Sequence, residues 1–181
     1  MASDQDILAL FKNEKTKEQG FNLLVKEYKQ NIYLNIRRMV FSHEDANDVS
    51  QNVLIKIWRH LDQFRGDSGL KTWIQRICVN ESISFLEQKK KMLNIIDDEQ
   101  YNDYITKTVA EDKFISADKI QRLLQEAIQR LPEKQRAVFV LRYYDETPYE
   151  ELLQIFGGTI GSLKSSYHFA VKKVEEFLSQ H

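Results

Sequence analysis

The sequence predicts an all-α protein built from two small helical domains joined by a linker. Its 181 residues include only 2 Pro and 6 Gly, too few for a turn-rich β fold. Apolar residues recur at helical spacing along most of the chain, and no segment shows the alternation of a half-buried strand. Hydrophobic residues make up 42% of the chain, enough to bury a core in one medium domain or two small ones.

Composition also excludes several classes of protein. A single cysteine, Cys78, rules out an internal disulfide framework and indicates a reducing, cytoplasmic location, with the thiol in the core. We recognise no signal-peptide pattern in the first residues and no run of about 18 apolar residues, and we therefore expect neither a signal peptide nor membrane insertion. We find no P-loop, nucleophile elbow or paired-carboxylate site, and therefore expect no catalytic residue, metal or cofactor. The histidines are scattered: His43, His60, His168 and His181.

Residues 1–91 are predicted to form the first helical domain. Helical spacing between residues 17 and 41 predicts one helix, and Ser42 is a candidate N-cap for a second. Glycine and polar residues in "FRGDSGLKTW", residues 64–73, indicate a loop before a third helix that ends in three lysines.

Residues 92–119 form an acidic stretch with seven carboxylates and three lysines. We see no sustained helical stripe in it and predict a flexible linker with at most a short helical turn. A solvated tether is the favoured interpretation, and the alternative is that its acids cover basic surfaces elsewhere. Its larger apolar side chains are candidates for docking: Ile95, Ile96, Tyr101, Tyr104 and Phe114.

Residues 120–181 are predicted to form the second domain, which ends in a pair of helices. Pro148–Phe156 is expected to be a short helix, and Gly157 and Gly158 supply the positive φ needed for a sharp turn. Thr159 is the candidate N-cap of the last helix. This spacing is typical of a helix-turn-helix, whose second helix enters the major groove of DNA. An antiparallel helix pair in a bundle remains the alternative.

The last helix has distinct inner and outer faces. Its apolar stripe runs from Ile160 to Leu178, so the outer face is polar except for Phe169. That phenylalanine has two interpretations: it touches a thymine methyl group, or it packs on the N-terminal domain or a partner and hides the helix. The predicted DNA-facing residues are Thr159, Ser162, Lys164, Ser165, His168, Phe169 and Lys172.

The loop at residues 64–73 interleaves aromatic and cationic side chains. Phe64 and Trp73 lie among Arg65, Lys71 and Arg76. Aromatic rings stack on unpaired bases and cations meet phosphates, so this pattern suits single-stranded DNA. The alternative is that Trp73 belongs to the core and the cations are solvated.

Taken together, the two halves resemble a bacterial RNA polymerase sigma factor. The segments that carry the resemblance are "EDANDVSQNVLIKIWRHLDQFRGDSGLKTWIQRICVNESISFL" and "LPEKQRAVFVLRYYDETPYEELLQIFGGTIGSLKSSYHFAVKKVEEFL". Their order and separation are similar to the small extracytoplasmic-function (ECF) group, which has only the second and fourth conserved regions.

The resemblance implies a role for each surface. Residues 1–91 would be a region 2-like domain, residues 92–119 the linker, and residues 120–181 a region 4-like helix-turn-helix domain that reads the −35 element. The implied polymerase-binding residues are Asp48, Gln51, Asn52, Trp58 and Arg59. The implied binding residues for the −10 element are Phe64, Arg65, Asp67, Ser68, Lys71, Thr72, Trp73 and Arg76.

Three positions depart from the family pattern. Many relatives have Glu where Asn52 stands and Arg where Ser166 and Phe169 stand. The implied function is promoter recognition and DNA melting as a subunit of RNA polymerase, with core enzyme and promoter DNA as partners and an anti-sigma protein as a further candidate partner. Two alternatives stay open: a stand-alone helix-turn-helix regulator, and a degenerate sigma-like adaptor that binds only protein.

Overall fold

The protein is all-α in the computed structural model, which describes residues 3–113 and 118–181. Across these ranges the chain forms nine α-helices and one short 3-10 turn at Leu61–Gln63, with no strand. The helices are α1 Asp4–Lys12, α2 Lys17–Met39, α3 His43–His60, α4 Leu70–Met92, α5 Asp98–Glu111, α6 Lys119–Gln129, α7 Glu133–Tyr144, α8 Tyr149–Phe156 and α9 Ile160–Ser179. The predicted fold class is confirmed.

Side-chain caps determine where several helices begin. The Ser42 hydroxyl accepts a hydrogen bond from the Asp45 amide at the start of α3, as predicted. Ser3 and Asp6 form a capping box at the start of α1. The sequence prediction included no helix in this segment, and α1 forms because Ile7 and Phe11 lie one turn apart and are both fully buried.

Helices α1 to α4 surround the first hydrophobic core. Leu24, Val53 and Ile74 lie at its centre, and the Cys78 thiol is buried with them, as predicted. Helices α1 and α2 cross closely at Gly20, where an added Cβ atom would lie 2.6 Å from the Phe11 nitrogen. A glycine is therefore required at this crossing.

The acidic segment departs from its prediction, because it contains the 14-residue helix α5. Tyr101, Ile105 and Val109 repeat every four residues and are buried in the first core. The prediction of at most a short turn was therefore wrong. The helix was missed because its apolar stripe is only three residues long and acidic residues lie between them. Asp97 caps the helix by accepting a hydrogen bond from the Gln100 amide.

Some of the apolar residues of this segment pack on the first core, and others are exposed to solvent. The Tyr104 ring lies 5.0 Å from that of Phe41, and Ile95 is partly buried beside the same core. Ile96 is 85% exposed and does not dock. Phe114 lies outside the described residues. Helix α5 packs on α6, and its Asp98 lines the same groove as Lys173 of α9.

The second hydrophobic core joins the two halves of the chain. Leu131, Phe139, Leu152 and other residues of α6 to α9 form most of it, as the C-terminal prediction requires. Met39 of α2 belongs to the same cluster, as does Val79 of α4. The C-terminal helices therefore pack directly against the N-terminal ones.

Candidate nucleic-acid and protein interfaces

Helix α3 carries the residues expected to contact polymerase, and all five of their side chains are at least partly exposed. Asp48, Gln51, Asn52 and Arg59 face solvent, and Trp58 is 38% exposed. Asp45, one turn before Asp48 on α3, is instead buried and accepts a hydrogen bond from Lys89 at 3.0 Å. Asp45 therefore connects α3 to α4 rather than offering a docking contact.

Trp58 has a structural role in addition to the expected one. Its ring packs edge-on against Phe11 at 5.4 Å and Phe21 at 5.0 Å. The Lys17 ammonium lies 5.6 Å from the ring centroid of the same tryptophan. Trp58 thus anchors α1 and α2 on α3 and presents only part of its surface outward.

Ile55 is a candidate contact that the sequence analysis missed. It is 47% exposed and lies on the same side of α3 as Asn52 and Arg59. The available signal was its phase, because Ile55 falls outside the buried series that includes Val49, Val53 and Ile57. An exposed isoleucine within a polar face indicates a contact surface.

The loop before α4 brings together the aromatic residues predicted from the sequence. The rings of Phe64 and Trp73 pack edge-to-face at 5.6 Å, and both are partly buried against the first core. Arg65, Asp67 and Lys71 are exposed, and Ser68 is half-buried. The loop therefore combines an aromatic base with a rim of charged side chains, so the core alternative holds in part and the single-stranded DNA interpretation stays a prediction.

A groove of about 200 Å³ lies beside this loop, between α3 and α4. Trp73 and Arg76 line it, together with Lys56, His60 and Asn80. Lys56 also pairs with Glu81 of α4 at 2.5 Å. Cationic side chains and one indole ring line the groove, which suits an unstacked base and its phosphate.

Thr72 departs from its predicted exposure. It is 4% exposed, and its hydroxyl donates to a carboxylate oxygen of Glu151 in α8 at 2.8 Å. In this arrangement the C-terminal domain covers one of the eight residues predicted to contact the −10 element. The sequence carried no signal for this contact, because Thr72 and Glu151 are 79 residues apart.

Asp145, after α7, is the centre of a polar cluster between the two domains. Its carboxylate accepts hydrogen bonds from the side-chain amides of Asn35 at 2.8 Å, Gln75 at 2.9 Å and Asn31 at 3.3 Å. Arg38 lies 4.0 Å from the same carboxylate, whose side chain is 7% exposed. One buried carboxylate from the second domain is thus satisfied by groups of the first.

Arg136 makes a second connection between the domains. This side chain is fully buried, and its guanidinium donates to the Met39 carbonyl oxygen at 2.6 Å and to the Tyr101 hydroxyl at 2.7 Å. It also donates to the carbonyl oxygens of Gln129 and Leu131 in its own domain. The guanidinium therefore joins α2, α5 and the α6–α7 turn.

Lys90 of α4 and Glu133 of α7 form an ion pair that adds to the interdomain contact. The Lys90 Nζ atom lies 2.5 Å from the Glu133 Oε1 atom. Burial alone would raise the pKa of Glu133. The hydrogen bond from Lys90 and the nearby positive charge outweigh burial, so the pKa of Glu133 lies below its ordinary value.

The α8–α9 pair has the geometry expected of a helix-turn-helix. Helix α8 ends at Phe156, and Gly157 and Gly158 follow with φ of 71° and 81°. Thr159 then caps α9 through a reciprocal pair of hydrogen bonds with Ser162. The predicted turn and cap are confirmed, and they place two amphipathic helices around a sharp bend.

The outer face of α9 is open to solvent. Its exposed predicted residues are Thr159, Ser162, Lys164, Ser165, His168, Phe169 and Lys172. Phe169 is 53% exposed, and its ring lies 5.8 Å from the His168 imidazole. The N-terminal domain does not cover it, so that version of the second interpretation is wrong, while a thymine contact and packing on a partner both stay predictions. Leu163, Ala170 and Val174 form the buried side of the helix.

The described residues offer neither a metal cluster nor a membrane-spanning helix. In residues 3–113 and 118–181, no group of three His, Cys, Asp or Glu side chains could hold a metal ion. No helix in the same ranges combines the length and apolar character needed to cross a membrane. Burial raises the pKa of the Cys78 thiol well above its ordinary value, so this thiol stays protonated at neutral pH.

Comparison with known families matches both halves of the chain. Residues 24–92 match the family described as Sigma-70 region 2, and residues 121–174 match Sigma-70 region 4. The chain is 30% identical over 159 residues to the ECF RNA polymerase sigma-E factor of Escherichia coli K12, an alignment that covers 84% of this chain and 83% of the relative. The chain belongs to the ECF group of RNA polymerase sigma factors.

A further relative and a solved structure are similar to this sigma factor in sequence and in fold, respectively. It is 27% identical over 185 residues to the RNA polymerase sigma-H factor of Pseudomonas aeruginosa, with 98% of this chain and 96% of the relative covered. The fold is similar to the sigma factor RpoE in its co-crystal structure with the anti-sigma factor NepR from Bartonella quintana. That likeness has a TM-score of 0.67 at 22% identity, with 88% of this chain and 96% of the other covered.

Proposed function

We propose that this sigma factor acts as a dissociable subunit of RNA polymerase that recognises promoters, helps to melt them and directs transcription initiation. It works through binding and performs no covalent chemistry of its own. Its place of action is the cytoplasm, where core polymerase and promoter DNA are its partners. An anti-sigma protein is a further partner, as in the co-crystal structure of the RpoE relative.

One observation carries this proposal: a region 2 module and a region 4 helix-turn-helix occur in one chain, in that order. A stand-alone regulator needs only the helix-turn-helix. The exposed polar face of α3 and the aromatic groove beside α4 would then have no purpose. A sigma factor uses all three surfaces at once, so the full set favours it over the regulator and the adaptor.

Each surface has a proposed task. The α3 face, defined by Asp48, Gln51, Asn52, Ile55 and Arg59, docks on core polymerase. The loop and groove around Trp73 hold the melted −10 strand, where stacking and cationic contacts offset a few kcal/mol spent in extruding a base. The outer face of α9 reads the −35 element in the major groove. Residues 92–119 connect the two reading domains.

Run-off transcription tests the proposal directly. Core polymerase is mixed with the purified chain and genomic promoter fragments from the same organism, and transcripts are mapped by their 5′ ends. We expect discrete transcripts that require the chain. If no fragment yields a transcript although the chain is folded, the sigma factor proposal is wrong. Binding to duplex DNA without polymerase would then support the regulator.

Docking on α3 is tested separately. Asp48→Ala combined with Gln51→Ala should weaken binding to core polymerase by roughly tenfold or more, since each lost polar contact in a buried interface costs about 1–3 kcal/mol. Ile55→Ser should weaken it in the same direction. Glu87→Ala, an exposed site on α4, is the matched control. Unchanged core affinity in the double variant would remove docking from this face.

A further inference from the structure

Helix α9 lacks the side chains that make the strongest base contacts. Between Ile160 and Ser179 the sequence contains no Arg, Asn or Gln. Arginine reads guanine and asparagine or glutamine read adenine through paired hydrogen bonds in the major groove. The outer face must therefore obtain its sequence preference from serines, His168, lysines and one aromatic ring.

Phe169 is the large apolar group on that face. More than half of its side chain is exposed, whereas Ala170 beside it is fully buried. Exposing a phenylalanine to water is unfavourable, so its retention at the surface indicates a contact made in the assembled state. Ser165 lies one turn before Phe169 and Lys172 lies about one turn after it, and both are exposed.

The surroundings of Phe169 indicate which partner it meets. Lys164, Lys172 and Lys173 are exposed along α9 and can meet phosphates on either side of a groove. The second helix of a helix-turn-helix is the one that enters the major groove. In that groove only thymine presents a methyl group, and apolar side chains including phenylalanine are its usual contacts.

We propose that Phe169 selects thymine at one position of the −35 element by packing its ring on the thymine 5-methyl group. This inference rests on the proposed function, since it requires α9 to read the −35 element. Many relatives carry arginine at the position of Phe169, and an arginine there would favour guanine. The proposed contact would instead make this helix prefer an A·T pair at that position.

The test uses the reconstituted holoenzyme and a promoter library with a randomised −35 region. Selected sequences should contain an enriched thymine at one position. That thymine is then replaced by deoxyuridine, which lacks only the methyl group. Loss of one buried methyl corresponds to about fourfold weaker promoter binding by the unmodified chain. Phe169→Ala holoenzyme should bind thymine and deoxyuridine promoters equally.

Two further variants sharpen the result. Phe169→Leu keeps an apolar contact and should retain part of the deoxyuridine effect. Phe169→Arg should shift the selected base from thymine towards guanine. Ile120→Ala is the matched control, because Ile120 is an exposed apolar residue, 70% exposed, on α6 rather than α9. It should leave the full methyl dependence in place.

The inference is overturned if no thymine in the selected element shows a larger methyl effect in the unmodified chain than in Phe169→Ala. It is also overturned if Phe169→Ala lowers affinity for core polymerase while methyl dependence is unchanged, since the ring would then contact protein. Both outcomes are compatible with active run-off transcription. Absence of transcription by the unmodified chain would instead refute the proposed sigma function.

Discussion

The two surfaces proposed to read DNA are presented differently in the free protein. On α4, the C-terminal domain covers Thr72 through a hydrogen bond from its hydroxyl to Glu151. On α9, the whole outer face from Ser162 to Lys172 is open. The covered surface belongs to the domain expected to bind melted DNA, and the open one to the domain expected to bind duplex.

This difference follows from where the interdomain contacts lie. Asp145, Arg136 and Glu151 all connect the second domain to α2, α4 or α5, while α9 faces away. Many of these contacts are hydrogen bonds, and Met39 and Val79 add apolar packing in the second core. If the −10 strand contacts Thr72, as proposed, its binding requires the Thr72–Glu151 hydrogen bond to open, whereas binding at the outer face of α9 requires no such change.

The largest expected effect comes from Asp145→Ala. This substitution leaves the amides of Asn35 and Gln75 without their acceptor, and we expect a loss of about 3 kcal/mol in the free energy of unfolding. Urea unfolding monitored by circular dichroism measures it. Glu150→Ala removes an exposed carboxylate from the same domain and serves as the control. Equal stability of the two variants would show that the cluster does not hold the domains together.

Glu151→Ala should reduce stability less than Asp145→Ala does, and it should increase the affinity of the free protein for single-stranded DNA. Loss of one hydrogen bond to Thr72 costs about 1 kcal/mol of the closed arrangement, which permits up to roughly fivefold tighter binding of a single-stranded −10 oligonucleotide by the free protein. Fluorescence anisotropy measures this affinity. Glu150→Ala should leave it unchanged, and an equal gain in that variant would mean that simple charge removal is responsible.

Acidity should weaken a different interdomain contact, the ion pair between Lys90 and Glu133. The pKa of Glu133 is depressed in the folded protein, so its contribution is complete above its unfolded pKa of about 4.5 and disappears as the pH falls through the lower folded value. As the pH falls through this range, we expect the unmodified chain to lose more free energy of unfolding than Glu133→Gln, and urea unfolding at a series of pH values measures the difference. Parallel stability curves for the two proteins would contradict this role.

The open surface should be the least sensitive to substitution. Phe169→Ala removes an exposed ring, and we expect the free energy of unfolding to change by less than about 0.5 kcal/mol. Val174→Ala truncates a buried residue of the same helix and should cost about 1–3 kcal/mol. If Phe169→Ala is as destabilising as Val174→Ala, the ring is packed in solution and the outer face of α9 is not open.

The sequence predicted local features better than distant ones. The Ser42 and Thr159 caps and the positive φ of Gly157 depend on neighbouring residues, so they could be identified from a few letters. Helix α5 was missed because its buried stripe of three residues is surrounded by acids. The solvent exposure of the outer face of α9 was predicted correctly, because it follows from helical phase within one segment.

The covered part of the −10 surface could not be predicted in the same way. Thr72 lies in a loop-to-helix stretch whose pattern is typical of DNA contacts, and its partner Glu151 is distant along the chain. Asp145 similarly appears in sequence as an ordinary turn residue after α7. Its acceptor role depends on three amides brought together by α2 and α4. Only the packing of the domains reveals these contacts.

The most direct test of the closed arrangement is the interdomain distance distribution in the free protein. Spin labels at Ser84→Cys on α4 and Glu175→Cys on α9, both exposed sites, report it by pulsed electron resonance. Cys78 can stay, because it is buried and its raised pKa keeps the thiol unreactive. We predict one narrow distribution that broadens when Asp145→Ala is added. A broad distribution in the labelled chain without Asp145→Ala would contradict the account.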